Sequence, residues 1–159
     1  MDGGIFIKIS TFKDVRFKAR GGPWATKSGG KLEVLVRFDF FGAMDFLNFY
    51  QNSGIRGLRL YIVKELPDGE VGGGEFHKVR QEILMVTQGE VLFIIEDLHG
   101  VKKEITLTPE TGVLFIPIWI LHTYVAKRPG SEILVLANTD FDPQDPATYD
   151  SYPKEEFHL

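Results

Sequence analysis

Two acids and a histidine lie close together in the stretch from Gly72 to Gly89, GGGEFHKVRQEILMVTQG. Side chains alternate between the two faces of a β-strand, so a strand here would point Glu75 and His77 to one face and Phe76 to the other. Glu82 follows after a bend. If the first face lines a barrel interior, the carboxylates and the imidazole converge on one small volume, where such groups transfer protons or bind a divalent cation.

A further imidazole is supplied by His122, in the apolar stretch GVLFIPIWILHTY. Each candidate also has a structural interpretation, because a single histidine on a strand is more often a hydrogen-bonded structural residue than a ligand. An exposed glutamate is normally just solvated. Arg59 and Tyr61, in LRLYIVKEL, likewise fit a surface charge and a core aromatic. The residue types alone therefore do not identify a functional site, and their spacing in the sequence has to support it.

The composition narrows the class of protein. The chain has 159 residues, of which 43% are hydrophobic, as expected for one packed domain. Its formal net charge is −4 without a basic cluster, so a nucleic-acid polymer is not an expected partner. The sequence has no cysteine, which excludes disulfides, thiolate metal sites and cysteine nucleophiles. It lacks an apolar run of about 20 residues and a signal-peptide pattern at MDGGIFIKIS. We expect a cytoplasmic protein without membrane contact.

Short apolar or alternating runs separated by turn signals predict an all-β fold. The runs are GIFIKIS, KLEVLVRFDF, LRLYIVKEL, EILMVTQG, EVLFIIED, KKEITLTP, GVLFIPI and SEILVLANT. Only Ala43–Gln51 fits about two turns of helix. We predict a single antiparallel jelly-roll sandwich or barrel over residues 1–159. It comprises N-terminal strands (1–57), a core (58–140) and an irregular, proline-rich acidic tail (141–159) that covers a sheet edge or a partner.

The spacing of the ionisable cluster resembles the first cupin motif, a glycine, a His-x-His pair, a glutamate and a closing glycine at set intervals. The matching residues are Gly69, Glu75, His77, Glu82 and Gly89. Gly112 to His122, with Pro117, resembles the second motif. The resemblance implies the cupin jelly roll. In many cupins these side chains bind a divalent metal. The set here would be Glu75, His77, Glu82 and His122, which suits Fe, Mn, Ni or Zn.

Within the cupins, the chain resembles the WxcM-like nucleotide-sugar 3,4-ketoisomerases, which act on dTDP-4-keto-6-deoxyglucose without a metal. Their Arg-x-Tyr strand is similar to R-L-Y from Arg59 to Tyr61. Their Arg-Gly-x-His-x-His-Lys motif is similar to G-G-G-E-F-H-K from Gly72 to Lys78. Later similarities are GEVLFIIED, EITL, GVLFIPIWILH and the pair Asp142 and Asp145. The resemblance covers Leu58 to Phe157.

The site departs from the family pattern at three positions. Gly72 stands where the family has an arginine, Glu75 replaces the first histidine, and Leu121 replaces the tryptophan before the late histidine. Inheritance of the fold is therefore a safer expectation than inheritance of the activity.

The family resemblance implies a nucleotide-sugar isomerase or epimerase that moves a proton between adjacent carbons through an enediol. His77, whose solution pKa suits neutral pH, and Glu75, a carboxylate that can serve as an isomerase base, are the predicted catalytic groups. Arg59 is assigned to a diphosphate and Tyr61 to a sugar oxygen. Glu82 and His122 complete the predicted substrate-binding set.

Two other functions remain open from the sequence. One is a metal-dependent cupin enzyme that uses the four-residue set, and the other is a cupin that binds a sugar without catalysis. No cofactor is expected for the leading hypothesis, although a divalent metal would define the first alternative. The expected partners are a small-molecule nucleotide sugar and a second copy of the chain, because long apolar strands such as KLEVLVRFDFF would otherwise expose an edge.

Overall fold

The structure, a computed structural model, describes residues 9–37, residue 46 and residues 56–159. Their strands are β1 (Arg16–Ala19), β2 (Gly21–Ala25), β3 (Lys31–Val34), β4 (Arg56–Leu66), β5 (Val71–Phe76), β6 (Glu82–Gln88), β7 (Val91–Glu96), β8 (Lys102–Leu107), β9 (Gly112–Ile116), β10 (Leu121–Ala126), β11 (Ser131–Thr139) and β12 (Tyr152–Pro153). Single 3₁₀ turns cover Phe12–Asp14, Pro146–Thr148 and Lys154–Glu156. Over the described residues, no helix has the length and apolar character needed to cross a membrane.

Two five-stranded antiparallel sheets form a sandwich. The first sheet has the order β1-β9-β6-β11-β4 and the second has the order β12-β5-β10-β7-β8. Strands β2 and β3 form a separate hairpin. The neighbours in each sheet are mostly distant in sequence, as in a jelly roll, and the predicted all-β sandwich is confirmed.

The core lies between the inner faces of the two sheets. Strand β7 alternates buried and half-buried residues, and β11 does so over most of its length, because one face of each strand packs inward. The main cluster contains Leu84, Val86, Phe93, Ile95, Leu114, Ile116, Ile133 and Val135 among its buried members. Four of these side chains, Leu84, Phe93, Ile133 and Val135, also line a cavity that polar residues share.

The N-terminal third differs from the strand prediction. In the described part of the run KLEVLVRFDF, residues 31–37, the strand covers Lys31–Val34, after which Leu35 and Val36 pack on the outer face of the first sheet beside Phe46. Residues 38–40 of that run, the predicted helix Ala43–Gln51 apart from Phe46, and most of GIFIKIS lie outside the described residues. The strand therefore ends where burial of its apolar residues favours a different surface.

The C-terminal tail contributes to a sheet. Strand β12 pairs with β5, with Tyr152 opposite Phe76 and Pro153 opposite Glu75. Phe76 is fully buried and packs against the rings of Trp119, Tyr152 and Phe157. The tail thus covers the edge of the strand that carries Glu75 and fixes the position of the residues that follow it.

Candidate active site

A buried carboxylate, Glu82, is the centre of the site. The Nε2 atom of His77 lies 3.6 Å from its Oε1 and the Nε2 atom of His122 lies 3.5 Å from its Oε2. The hydroxyl of Tyr61 donates to Oε1 at 3.0 Å, and the Arg80 guanidinium is 3.8 Å away. Four polar side chains therefore surround one almost fully buried carboxylate.

Both sheets contribute to this cluster. Glu82 begins β6 and Tyr61 lies in β4, both in the first sheet. Glu75 and His122 lie opposite each other on β5 and β10 of the second sheet. His77 lies just beyond the end of β5, so it belongs to a loop rather than to the predicted strand. It nevertheless lies on the Glu75 side, as the alternation predicts.

The C-terminal tail orients His77. Its Nδ1 is 2.6 Å from the carbonyl oxygen of Asp150, which can only accept, so Nδ1 carries the hydrogen and Nε2 faces the buried carboxylate. The Asp150 carboxylate accepts from the backbone N–H groups of Lys78 at 3.0 Å, Val79 at 2.9 Å and Arg80 at 2.6 Å. One aspartate therefore holds the whole loop that starts at the histidine.

The second histidine is oriented in the same way. The Nδ1 of His122 donates to the carbonyl of Ile120 at 3.0 Å, and the centroids of the two imidazole rings are 5.0 Å apart. Backbone carbonyls thus fix both tautomers, and both Nε2 atoms face Glu82.

Charges and burial shift the pKa values of the two imidazoles in opposite directions. Burial would raise the pKa of Glu82, but the charges of His77, His122 and Arg80 hold it well below its usual range. Burial would lower the pKa of His77, but the charge of Glu82 raises it. For His122, burial dominates and lowers the pKa. The positively charged form is therefore favoured more on His77 than on His122.

Tyr61 is a hydrogen-bond donor in this arrangement. Burial, followed by the charge of Glu82, raises the pKa of its hydroxyl, which therefore keeps its proton. The bond to Glu82 gives this tyrosine a polar role that a purely apolar core residue would not have.

A cavity of about 180 Å³ opens beside the cluster. Its polar lining consists of Tyr61, Glu75, Glu82, His122 and Tyr124, and its apolar wall consists of Val63, Leu84, Phe93, Ile133 and Val135. His77 lies behind this lining, where its Nε2 is buried and has no hydrogen-bond partner within the described residues. The cavity thus offers a ligand two carboxylates, one imidazole and two phenols.

Arg59 lies outside the lining. Its guanidinium lies 4.7 Å from the ring centroid of Tyr61 and 5.2 Å from that of Phe141. Its Nε is buried, and in the described part of the chain no acceptor reaches it. The arginine is therefore stacked at the edge of the site, which differs from a simple surface charge.

Three of the four predicted metal ligands are close enough to share an ion. Ligand atoms of Glu75, His77 and His122 lie within 4.8 Å of one another, and Glu82 is not part of that set. The buried carboxylate instead bonds to side chains of the protein.

Sequence reasoning missed Asp150, Arg80 and Tyr124. Tyr124 follows His122 by two residues on the same strand, so strand alternation was a usable signal for it. Arg80 lies in the loop after His77 and has no distinctive spacing. Asp150 lies in a tail of ordinary acidic composition and gives no signal before the fold is known.

The sequence matches a family model described as FdtA: WxcM-like, C-terminal, over residues 33–156. The chain belongs to this family. The predicted resemblance is confirmed, and the match starts earlier than Leu58, where the motif resemblance began. Among curated proteins, the sequence has no match.

Solved structures with the same fold include two sugar ketoisomerases and one epimerase. A 3,4-ketoisomerase from Helicobacter canadensis has a TM-score of 0.66 at 17% identity, over 91% of this chain and 94% of that one. A double mutant of the QdtA 3,4-ketoisomerase from Thermoanaerobacterium thermosaccharolyticum, in complex with TDP, has a TM-score of 0.62 at 20% identity, over 90% and 89%. The dTDP-4-dehydrorhamnose 3,5-epimerase from Bacillus anthracis has a TM-score of 0.62 at 13% identity, over 86% and 80%. At these identities the likeness establishes the fold.

Proposed function

We propose that the protein is a nucleotide-sugar isomerase or epimerase of the dTDP-4-keto-6-deoxyhexose type, which works by proton transfer without a metal. The observation that carries this proposal is the buried Glu82 between the imidazoles of His77 and His122, whose pKa values are shifted in opposite directions, beside a cavity that Glu75 also lines. Titratable groups whose pKa values are driven apart provide an acid and a base at the same pH. The family and the TDP complex of a structural relative support the substrate class.

In a 3,4-isomerisation, the Glu75 carboxylate takes the proton from C3 of the 4-keto sugar. The C–H electrons form the C3–C4 double bond of an enediol, and the C4 carbonyl oxygen gains a proton from the neighbouring donors. His77 then supplies, through the Glu82 carboxylate that lies 3.6 Å from its Nε2 and lines the cavity, the proton that C4 receives. The C3 hydroxyl proton passes to the group that had protonated the C4 oxygen, and C3 becomes the new carbonyl carbon. No electron leaves the sugar, so the reaction needs no oxidant. Raising the pKa of His77, as Glu82 does, keeps that proton available at neutral pH.

The remaining predicted residues hold the substrate in this scheme. The Tyr61 hydroxyl and His122 face the sugar, and Glu82 keeps the two imidazoles in place. Arg59, stacked on Tyr61 at the edge of the site, takes the diphosphate through its planar fork.

The test is turnover of dTDP-4-keto-6-deoxyglucose in D₂O, followed by proton NMR. We expect loss of the C3 proton signal and deuterium at C4 of a 3-keto product. Glu75→Gln and His77→Asn should each lower kcat by about 100-fold or more, the usual contribution of an acid or base. His99→Asn, a change at an exposed histidine far from the cavity, is the matched control and should retain activity.

Tight binding of dTDP-sugars without exchange of the C3 proton for deuterium and without a 3-keto product would overturn the isomerase assignment. It would identify the chain as a sugar-binding member of the family. Full activity in both variants would reject Glu75 and His77 as the proton-transfer groups and leave the reaction class intact.

A metal-dependent enzyme is the second candidate, favoured by the grouping of Glu75, His77 and His122. One carboxylate and two imidazoles match the donor set of non-haem iron sites, and a bound ion there would polarise a substrate oxygen. The Arg80 guanidinium near the cluster and the orientation of both Nε2 atoms towards Glu82 favour the metal-free scheme. Mass spectrometry of untagged protein for metal decides between the two. Stoichiometric metal that is lost in Glu75→Ala and in His122→Ala would support the metal enzyme.

We also infer that the protein acts as a homodimer in the cytoplasm. Strand β4 is an edge of the first sheet, and its outward side chains Leu58, Leu60 and Ile62 are exposed in a row. An apolar edge of this kind pairs readily with a second chain. Light scattering should show a dimer that Leu60→Asp converts to a monomer, whereas Thr106→Asp, which adds the same charge on β8 of the other sheet, should not. A monomeric wild type would contradict the inference.

A further inference from the structure

The ring of Tyr124 occupies the space beside Gly72. The two residues are opposite each other on β10 and β5. A Cβ atom at Gly72 would overlap both the ring and the hydroxyl of this tyrosine. Only a residue without a side chain therefore allows the tyrosine its present position.

The backbone gives no separate reason for the glycine. Gly73 and Gly74 have φ values of +70° and +71°, in the left-handed region that favours glycine. Gly72 does not lie in that region, so an L-residue there would meet no strain in φ. The tyrosine ring is thus the obstacle to a side chain at this position, and the two residues form a sterically matched pair.

The hydroxyl of Tyr124 is available to a ligand. The residue lines the same cavity as Glu75 and His122, and its ring packs against Phe93 with 6.4 Å between centroids. Unlike the hydroxyl of Tyr61, which donates to Glu82, this hydroxyl has no hydrogen-bond partner among the residues that the structure describes. Burial and the charge of Glu75 raise its pKa, so it remains a donor at neutral pH.

The position of Tyr124 indicates which part of a ligand it would contact. In the proposed reaction, the sugar carbons that exchange protons lie against Glu75, in the cavity that Tyr124 also lines. A donor on that wall contacts the sugar ring. A phenol and a glycine here also replace the long cationic side chain that the family motif places at Gly72, so this wall offers a neutral donor.

We propose that Gly72 and Tyr124 together place a phenol donor on an oxygen of the sugar ring, and that this pair selects the sugar portion of the ligand. The inference rests on the proposed function and adds a substrate-contacting residue to it. The hydroxyl donates to a sugar oxygen, and the packed ring limits how far the sugar can shift.

The first variant is Tyr124→Phe, which removes one oxygen and keeps the ring. Isothermal titration with dTDP and with dTDP-4-keto-6-deoxyglucose separates the two parts of the ligand. We expect the sugar nucleotide to bind about 3- to 10-fold more weakly, the usual effect of one hydrogen bond, and dTDP to bind as in the wild type. Tyr149→Phe, which removes an exposed hydroxyl bonded to the carbonyl of Pro143, is the matched control and should change neither.

The second variant tests the pairing. Gly72→Ala should displace the ring and weaken sugar-nucleotide binding at least as much as Tyr124→Phe does. The double variant Gly72→Ala/Tyr124→Phe should bind no more weakly than Gly72→Ala alone, because the hydroxyl is already out of place. Thermal unfolding of each variant confirms that the fold is retained, since Tyr124→Phe leaves the packing against Phe93 intact.

Equal binding of the sugar nucleotide by the wild type and Tyr124→Phe would overturn this inference and leave the proposed function standing. Additive losses in the double variant would also overturn the pairing. A wild type that binds neither dTDP nor the sugar nucleotide would overturn the proposed function and this inference together.

Discussion

The loop of residues 77–81 and the β2–β3 hairpin are both connecting segments, but they are built in opposite ways. In the loop, His77, Arg80 and Gln81 are buried although all are polar. In the hairpin, Trp24 and Leu32 form a cross-strand pair and are 54% and 50% exposed although both are apolar. The loop therefore buries polar side chains, whereas the hairpin exposes apolar ones.

The partners of the two segments explain this difference. The loop bonds to residues 57 to 73 positions later, because Gln81 N–H donates to Asn138 at 2.7 Å and His77 to the Asp150 carbonyl. The hairpin is held mainly by the pairing of β2 with β3 and by the ion pair of Arg20 and Glu33, which are 3.4 Å apart. Arg20 also donates to the carbonyl of Val86 at 3.1 Å, which is its one side-chain hydrogen bond outside the hairpin among the described residues. Buried polar groups are stable only when paired, so distant elements fix the loop, whereas the hairpin depends on local contacts.

The largest effect should follow Asp150→Ala. It leaves three backbone N–H groups of the loop without an acceptor, one of them buried and two half-buried, and should lower the free energy of unfolding by about 4 kcal/mol. Urea denaturation measures this. Asp145→Ala, at an exposed aspartate that caps the turn at Pro146–Thr148, is the control in the same tail and should cost about 1 kcal/mol. Equal losses in the free energy of unfolding for Asp150→Ala and Asp145→Ala would show that the contacts of Asp150 to the loop stabilise the protein no more than an exposed cap does.

Glu82→Gln should cause the next largest loss in the free energy of unfolding, and the size of this loss should depend on pH. The folded-state pKa of His77 is raised, so its contribution to stability is complete below its ordinary value of about 6.5 and is lost as pH rises through the raised value. The variant removes the charge that raises it. We expect a loss of about 3 kcal/mol near pH 6 and a smaller loss near pH 9.

Urea denaturation between these pH values measures the difference. The control is His99→Asn, which removes an exposed imidazole and should follow the wild-type profile. Parallel profiles for the wild type and Glu82→Gln would show that the charge of Glu82 does not control His77.

Two glycines with similar backbone angles allow the packing of the site to be compared with that of the hairpin. Gly73, in the site, and Gly29, in the hairpin turn, have φ values of +70° and +83°. Alanine costs about 1–2 kcal/mol of strain at either position. At Gly73 the new Cβ would also lie 2.8 Å from the carbonyl oxygen of His122, whereas at Gly29 it meets open space. Thermal unfolding should therefore show a clearly larger loss for Gly73→Ala, and similar losses would argue against tight packing at the site.

Trp24→Ala should have the smallest effect. The side chain is half exposed and lies in the hairpin, so its removal should change the free energy of unfolding by about 1 kcal/mol or less. Urea denaturation with unchanged ligand binding would fit this expectation. A loss as large as that of Asp150→Ala would mean that the hairpin is covered by another chain.

Sequence patterns predicted the sandwich because alternation in stretches such as EVLFIIED and SEILVLANT reports directly which face is buried. They also placed Glu75, His77, Glu82 and His122 together, since motif spacing carries that information. The end of the strand at Val34 was not predicted, because Leu35 and Val36 pack on the outer face of the first sheet instead of continuing the strand that their residue types favour. Asp150 was missed because its contacts join segments far apart in sequence, and no local pattern reports such a contact.

The Asp150 contact also bears on the order of events during translation. The chain is made from its amino end, and 73 residues separate His77 from the residue that orients it. At about 5–20 residues per second, this interval is about 4–15 s. By then the residues of β4 to β11 have all been synthesised. We expect the nascent chain to pair its sheets first and to complete the histidine loop last, so that His77 takes its final orientation only after the ribosome has added the tail.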